Sequence, residues 1–450
     1  DDYFSIDSEV TRDVLQKRTL KTTGKDIREV VKEMHFLIAN NLILNSPLQV
    51  NQIFENCLLA GSRMQVDAIK YAIESAKSAA NKFAWPEVIV ILNKVSYLSS
   101  TASQEQNDQI SFLSALAFRG VGGQENRDQA RNLALSLVES QHIDLFDVLY
   151  LYLETSFEEK QKDDLQQIVT QVEEWKKGIK LEGLSEPLSE FYRISAEAEL
   201  MGRNRDRIAY RKGMNAVRVV VENFTPSTDQ EGIQQKRLLS FIIQSLAIDY
   251  SFEQKIDKKT ELLIEELFSQ SEELKKEVND LQGLAINLGS RGSYHLFTTK
   301  KISIAREFLS RDLELCEQMG TRGDMSAIYN KLSMCDWIDA NECTDADEKK
   351  LLQNNALQNA EKAFRLAVEL DREGDRAFAG FAVLEYARIN SNWPLIDEVG
   401  KNLDDEELWQ IVLSSYAKSR VLEECKNLKG KGEWKWLESL QAKVSTSMDG

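Results

Sequence analysis

The stretch NAEKAFRLAVELDREGDRAFAGFAVLEYARINSNW, residues 359–393, decides the fold class of this chain. Its first half places Ala360, Phe364 and Ala367 four and three residues apart, which puts them on one stripe of a helix. A short break with Gly374 separates this half from a second amphipathic run that ends at Trp393. The stretch therefore predicts a helical hairpin, which must stack on further hairpins because it cannot bury its apolar stripe alone.

The same order of features recurs elsewhere in the chain. Ala305 and Leu309 precede a break at Gly320, and a second helical run containing Tyr329 and Leu332 follows it. Small residues at these intervals let a neighbouring helix approach closely. Stripes with the same spacing are Val88, Leu92 and Val95; Ala130, Ala134 and Leu137; and Ala209, Gly213 and Ala216.

The dipeptide Trp-Pro occurs twice, in FAWPEVIVILNKV from Phe83 and in SNWPLIDEVGKNL from Ser391. Each copy stands just before a helical apolar pattern. Pro86 and Pro394 are predicted in the first turn of the second helix of a hairpin, where a missing N–H costs nothing and the fixed φ suits the helix. The preceding tryptophans would then close the turn against the next hairpin.

Five prolines and 21 glycines in 450 residues are few for the many tight turns of a sheet-rich fold. An apolar content of 42% suffices for a large core. The candidate strands VIVIL and VRVVV each lie inside longer segments with helical periodicity. The sequence thus predicts an all-α protein, a right-handed α-solenoid of stacked antiparallel helical hairpins.

The segment AEKAFRLAVEL resembles the second-helix signature of the tetratricopeptide repeat, with Ala360, Phe364 and Ala367 at the signature positions. The resemblance is good from about residue 283 to residue 393 and moderate from about residue 188 to residue 221. The first-helix tryptophan and the closing proline of the family are missing, and Asp312 stands at an alanine position. The resemblance implies a degenerate tetratricopeptide-like superhelix that holds a protein or peptide on its concave side.

The pattern divides the chain into four segments. Residues 1–62 are predicted to form an N-terminal helical cap or the end of a preceding domain. Residues 63–225 and 226–420 are the two halves of one repeat array, the second with the clearest repeats. Residues 421–450 are a capping helix and a frayed tail, with Trp434, Leu437, Leu440 and Val444 on the closing stripe. The start DDYFSIDSEV, which lacks Met, suggests a fragment of a larger protein.

The charge of the chain narrows the partners that we expect. With 56 basic and 73 acidic side chains the formal net charge is −17, so the surface should repel nucleic acid and anionic lipid and favour partners with basic segments. No run approaches the roughly 18 apolar residues of a membrane helix, and the start shows no export signal. Five scattered cysteines without a CxxC pair fit a reducing, cytoplasmic location. The oligomeric state stays open.

The sequence offers little catalytic or metal-binding chemistry. His35, His142 and His295 lie in different regions without a catalytic motif. Cys316, Cys335, Cys343 and His295 form the best metal set, but their spacing fits no compact zinc pattern. DANECTDADEKKLL, from Asp339, lacks the Gly and Glu of a calcium loop and is interpreted as a solvated loop before a helix. We therefore expect no enzyme, no cofactor and no metal.

One basic run stands out in this acidic chain, GRNRDRIAYRKGMNAVR from Gly202. It could grip a phosphate, a carboxylate-rich peptide or a nucleic-acid backbone. The alternative is a solvated helix face that pairs with acidic neighbours such as those in FEEKQKDDLQQ, and that lies opposite the Ala209, Gly213 and Ala216 stripe. The candidate binding residues are Arg203, Arg205, Arg207, Arg211, Lys212 and Arg218.

The predicted function is a non-enzymatic interaction scaffold that binds a protein or peptide on the concave surface of the superhelix, as the recognition arm or sensor module of a larger signalling protein. Stacked hairpins create extended concave surfaces of this kind. Two alternatives use the basic run between Arg203 and Arg218: a regulatory domain that senses a small anion, and a nucleic-acid-binding helical repeat.

Overall fold

The structure is a computed structural model that describes residues 26–158, 161–202, 206–253, 255–403, 418–432 and 434–446. These residues form twenty α-helices and no strand, which confirms the predicted all-α class. The first seven helices are α1 (Ile27–Asn45), α2 (Val50–Leu59), α3 (Gln65–Ala80), α4 (Trp85–Asn93), α5 (Gln104–Val121), α6 (Gln124–Ser136) and α7 (Leu145–Phe157).

The remaining helices follow with mostly short connections. The next six are α8 (Lys162–Gly178), α9 (Ser185–Met201), α10 (Arg207–Glu222), α11 (Asp229–Ser251), α12 (Lys258–Glu277) and α13 (Leu281–Tyr294). The last seven are α14 (Ile302–Met319), α15 (Arg322–Glu342), α16 (Ala346–Glu369), α17 (Glu373–Ile389), α18 (Trp393–Asn402), α19 (Lys418–Leu428) and α20 (Lys435–Thr446). Short 3₁₀ turns lie at Gly61–Met64 and Ser96–Leu98, and a π-helical turn at His295–Thr299.

The chain divides into two compact units. Among the described residues, unit 1 contains those up to Arg119 together with Gln129–Leu151, and unit 2 contains Gly120–Asp128 and those from Tyr152 onward. In each unit, helices that are adjacent in sequence pack on one another, as in an array of stacked hairpins. The four-segment division of the sequence stays a prediction.

The two Trp-Pro pairs begin helices, as predicted. Trp85 is the first residue of α4 and Trp393 the first residue of α18, so each proline lies in the first helical turn. Trp85 packs against the core of unit 1, and the Trp393 ring lies 6.4 Å from the Trp434 ring in unit 2. Trp393 therefore contacts a later packing layer, whereas Trp85 packs on the core of its own unit.

Both Trp-Pro turns have the same backbone geometry. One residue with positive φ ends the first helix, Phe83 at 57° in one turn and Ser391 at 54° in the other. The backbone N–H of the next residue then donates to a carbonyl in the last turn of the first helix. The bond runs from Ala84 to Ala79 at 3.0 Å in the first copy and from Asn392 to Ala387 at 2.9 Å in the second. The same turn recurs after α12, α14 and α16, with Asn279, Gly320 and Asp371 as the residues of positive φ.

The stripes read from the sequence mostly face the core. Ala360 and Ala367 are fully buried and Phe364 nearly so, which confirms the packing face of α16. In α17, Gly380 lies against Leu403, and a Cβ added there would come within 2.8 Å of that side chain. The other confirmed stripes are Val88, Leu92 and Val95; Ala130, Ala134 and Leu137; and Ala305 and Leu309.

One predicted stripe is wrong. In α10, Ala209 and Ala216 are exposed, whereas Met214, Val217 and Val221 are buried. Burial free energy scales with the apolar area removed from water, so the larger side chains turn toward the core and the small ones stay outside.

The last described helices pack against the core of α16–α18. Leu437 and Leu440 are buried there, and Trp434 packs against the same cluster. The sequence pattern missed Trp436, whose indole ring lies against Gly400 so closely that a Cβ at that glycine would meet it at 2.0 Å. Val444 lies outside the described side chains.

Helix α1 is apolar on two faces. Phe36, Ala39 and Ile43 turn toward the core of unit 1. A neighbouring face of the helix leaves Leu37 61% and Leu44 79% exposed.

Candidate partner-binding surface

The helices of unit 2 between residues 229 and 389 fall into two rows. In the inner row, the first helices of successive pairs contact each other, α11 with α13 and α15 with α17. Gln244 donates to the Ser290 hydroxyl at 3.2 Å across the first of these contacts. Trp337 stacks on Tyr386 across the second, with ring centroids 4.4 Å apart. The second helices, α12, α14 and α16, form the outer row.

Exposure separates the two rows. No residue is exposed in the described stretches 237–251, 281–296, 323–340 and 374–388, which form the bodies of the inner helices. Each outer helix, in contrast, carries exposed charged residues, such as Glu273, Glu307 and Lys362. Neighbouring helices therefore shield the side chains of the inner helices from solvent, whereas the outer helices expose charged side chains.

Helix α15 gives the inner row its chemistry. Its half-buried side chains include Met325, Asn330, Met334 and Trp337. Tyr329, in contrast, faces the outer row, where Lys362 of α16 lies over its ring at 5.2 Å. The side-chain oxygen of Asn330 is buried, and in the described part of the chain no hydrogen-bond partner reaches it. Aromatic residues and Met are enriched at the centres of protein interfaces, where charged side chains are depleted.

A buried lysine lies under the inner row. Lys275 of α12 is fully buried, and its ammonium donates to Gln244 at 2.9 Å and to Ser240 at 3.3 Å. It also lies over the Phe241 ring, 4.3 Å from the centroid. Burial disfavours the charged form and lowers the pKa of Lys275 to about 8.

A buried carboxyl lies between α13 and α14. Asp312 is 5% exposed and packs against Gly289, where an added Cβ would come within 2.4 Å of its oxygen. Burial raises the pKa of Asp312 to about 7. This residue stands where the tetratricopeptide signature has an alanine, so the departure from the signature places a titratable group in the core.

Charged side chains also link the two rows. Arg291 of α13 donates to Glu265 at 2.6 Å and to Glu272 at 3.3 Å, both on α12, and lies over the Phe308 ring. Burial alone would raise the pKa of Glu265, but His295 and Arg291 hold it below its usual value. The ionised carboxylates thus fix the register of α12 against α13.

The structure pairs the predicted arginines with carboxylates. Arg203 and Arg205 lie outside the described residues. Arg211 donates to Asp249 at 2.5 Å and to Glu253 at 2.6 Å. Arg207 donates to the backbone carbonyl of Asp249 at 3.0 Å.

The rest of the predicted cluster is divided between a local pair and a free lysine. Arg218 donates to Glu222 at 2.7 Å, one turn along α10. Lys212 is exposed and forms no ion pair within the described ranges. The paired arginines leave little unmatched positive charge for an anion, and the role of this cluster in binding stays a prediction.

Sequence reasoning missed the partner that organises these arginines. The suggested acidic neighbours were those of residues 157–167, whereas Asp249 and Glu253 come from the end of α11. Asp249 is 1% exposed, so its carboxylate is held in the interior by Arg211. No local pattern reveals a contact between residues 38 positions apart.

The other chemical motifs have structural explanations. The cysteines are free thiols, four of them buried. Asp345 begins α16 as its N-cap and accepts from the backbone of Asp347 and Glu348, as expected of a solvated loop before a helix. His35 contacts Asn56 at 2.8 Å. Across the residues that the structure describes, no group of three or more His, Cys, Asp or Glu side chains could hold a metal ion.

Within the described ranges, no helix is long and apolar enough to cross a membrane.

The chain matches no family model and no curated protein. Among solved structures it is similar to a Rap protein complexed with the competence and sporulation factor, at 7% identity and a TM-score of 0.42. It is also similar to the apo form of RapI, at 13% identity and a TM-score of 0.37. Each similarity covers 85% of this chain and 98% of the other. At such scores, fold and function have to be argued from the residues of this chain.

Proposed function

We propose that this chain is a helical-repeat scaffold that binds a protein or peptide segment along the inner row of unit 2. The carrying observation is the exposure pattern of α11, α13, α15 and α17, whose bodies carry no exposed residue and present half-buried Met, aromatic and amide side chains. Such a surface loses little solvation when a partner covers it. This role requires no catalytic group.

The test is a capture experiment with the intact chain. A photo-reactive phenylalanine analogue at the half-buried Met334 of α15 is compared with the same analogue at Leu351, which is 60% exposed on the outer helix α16. We expect one dominant protein to crosslink to position 334 in native lysate, and not to position 351. Equal labelling from both positions would place the partner elsewhere.

A variant pair tests the same surface without a crosslinker. Met334→Glu puts a charge on the half-buried face of α15, and Val368→Glu puts one on α16, where Val368 is 36% exposed. The crosslinked protein should be lost from the first variant and retained by the second, with the helical circular dichroism of both unchanged. Retention by Met334→Glu contradicts the proposal.

The arginine run is the alternative site. A triple variant, Arg207→Ala with Arg211→Ala and Arg218→Ala, tests it, with Lys212→Ala as a control that breaks no ion pair. If the triple variant captures the same protein, the arginines do not bind the partner and serve only to join α10 to α11. Loss of a bound small anion or of nucleic acid from the triple variant would favour one of the two alternative functions.

A further inference from the structure

Two loops of unit 2 meet at one edge of the array. The hydroxyl of Thr298, in the π-helical turn after α13, donates to the carbonyl of Ser251 at the end of α11, at 3.4 Å. Lys301, which follows the same turn, pairs with Glu261 in the first turn of α12. The end of α11, the start of α12 and the end of α13 therefore lie together.

Large apolar side chains are exposed at this edge. Phe252 is 60% exposed and Phe297 is 47% exposed, and each is next in sequence to a member of the Ser251–Thr298 hydrogen bond. Leu262, one residue after the ion-paired Glu261, is 63% exposed. A single exposed apolar residue is ordinary, but a group of three around joined loops is typical of an interaction surface.

The same edge carries unmatched positive charge. Four lysines are exposed there, and none of them forms an ion pair within the described ranges. We call them, together with Phe252, Phe297 and Leu262, the lysine–aromatic edge. The four are Lys255, Lys258, Lys259 and Lys300.

The carboxylates nearby are already engaged. Glu253 accepts from Arg211 at 2.6 Å, and Glu261 pairs with Lys301. Asp257 caps α12 by accepting from the Thr260 N–H at 2.7 Å, and that bond lowers its pKa. Asp257 keeps its negative charge and attracts Lys259. The charge left over at this edge is therefore that of the other three exposed lysines, in a chain of net charge −17.

We propose that the lysine–aromatic edge docks an acidic protein segment that carries aromatic or leucine side chains between its carboxylates. The lysines would attract and orient the carboxylates, and Phe252, Phe297 and Leu262 would pack against the apolar side chains. A short acidic segment fits better than nucleic acid, because Leu262 offers no base stacking and the acidic chain beyond the edge repels a long polyanion. This surface lies on the connection between α11 and α12, the first turns of α12 and the π-helical turn after α13, and it is independent of the inner-row proposal.

Fluorescence anisotropy with the full chain tests the proposal. The probe is a fluorescein-labelled synthetic peptide in which Asp and Glu alternate with Phe and Leu, and the comparison probes are the same peptide with Ser for Phe and Leu, and an oligothymidine. We expect the first peptide to bind most tightly and to weaken as salt rises.

Two variants locate the binding. The pair Phe252→Ser and Phe297→Ser, and the triple Lys255→Glu, Lys258→Glu and Lys300→Glu, should each weaken peptide binding at least tenfold. The control is Val66→Ser with Tyr97→Ser, since these two side chains of unit 1 are 61% and 67% exposed. Absence of peptide binding, or an equal loss in the control, overturns the proposal. Tighter binding of oligothymidine that the lysine triple abolishes would replace it with a nucleic-acid site.

Discussion

The interiors of the two units are built differently. Among the described residues of unit 1, the only buried polar side chains are Ser75 and Asp108, and its core is a continuous apolar cluster. The interior of unit 2 contains many buried polar and charged side chains between residues 234 and 336. They include Gln234, Gln244, Asp249, Glu272, Lys275, Asp280, Asn287, His295, Asp312 and Asp336.

The stability of the two interiors should therefore rest on different interactions. An apolar core is stabilised by close packing and by the burial of apolar surface, so its stability should depend little on pH. A core with buried titratable groups is held partly by matched hydrogen bonds and charges, and its stability must follow their protonation. The same repeated hairpin can therefore carry two kinds of interior.

The largest effect should come from a cavity in unit 1. Ile53→Ala removes a fully buried side chain, and the loss of packing should lower the free energy of unfolding by about 2 to 5 kcal/mol. Urea unfolding followed by circular dichroism measures it at pH 5 and at pH 8. The control, Val66→Ala, changes a side chain that is 61% exposed and should cost less than about 0.5 kcal/mol. A loss that differs between the two pH values would contradict the comparison.

The next effect concerns Asp312 in unit 2. Its pKa is about 7 in the folded chain against an ordinary value of 3.8, so between these values the folded state holds a proton that the unfolded state has released. Stability from this group is therefore lost as the pH rises through that window. Asp312→Asn should raise the free energy of unfolding by roughly 2 to 4 kcal/mol at pH 8. A gain of equal size at pH 4 would point to packing instead.

Lys275 should show the opposite dependence. Its pKa is about 8 in the folded chain against an ordinary value of 10.5, so above pH 8 the unfolded state holds a proton that the folded state has released. Stability from this group should rise by up to about 2 to 3 kcal/mol between pH 8 and pH 10. Lys275→Met should remove this rise, as measured by urea unfolding at both pH values. The control is Lys258→Met, which changes an exposed lysine and should keep the rise. If the free energy of unfolding still rises with pH in Lys275→Met, burial of Lys275 is not the cause.

The smallest effect should be alike in the two units. Pro86→Ala and Pro394→Ala act at equivalent positions of the same turn. Each should lower the free energy of unfolding by about 0.4 to 1 kcal/mol, because the unfolded chain gains conformational freedom. A clear difference between the two would show that the turns are held by different tertiary contacts.

Local pattern was enough to predict the elements that repeat. The spacing of Ala360, Phe364 and Ala367 identified a packing face, and Trp-Pro located two helix starts, because both signals depend only on near neighbours in the chain. The spacing failed in α10, where two stripes competed and the larger side chains of Met214 and Val217 took the core position.

The all-α class and the positions of the clearest hairpin turns follow from the sequence alone. The pairing of Arg211 with Asp249, the burial of Lys275 and Asp312, and the place of Phe252 and Phe297 at one edge appear only in the folded chain. The reason is physical. Helix formation and turn geometry are set within a few residues, whereas burial and charge pairing depend on contacts between residues far apart in sequence.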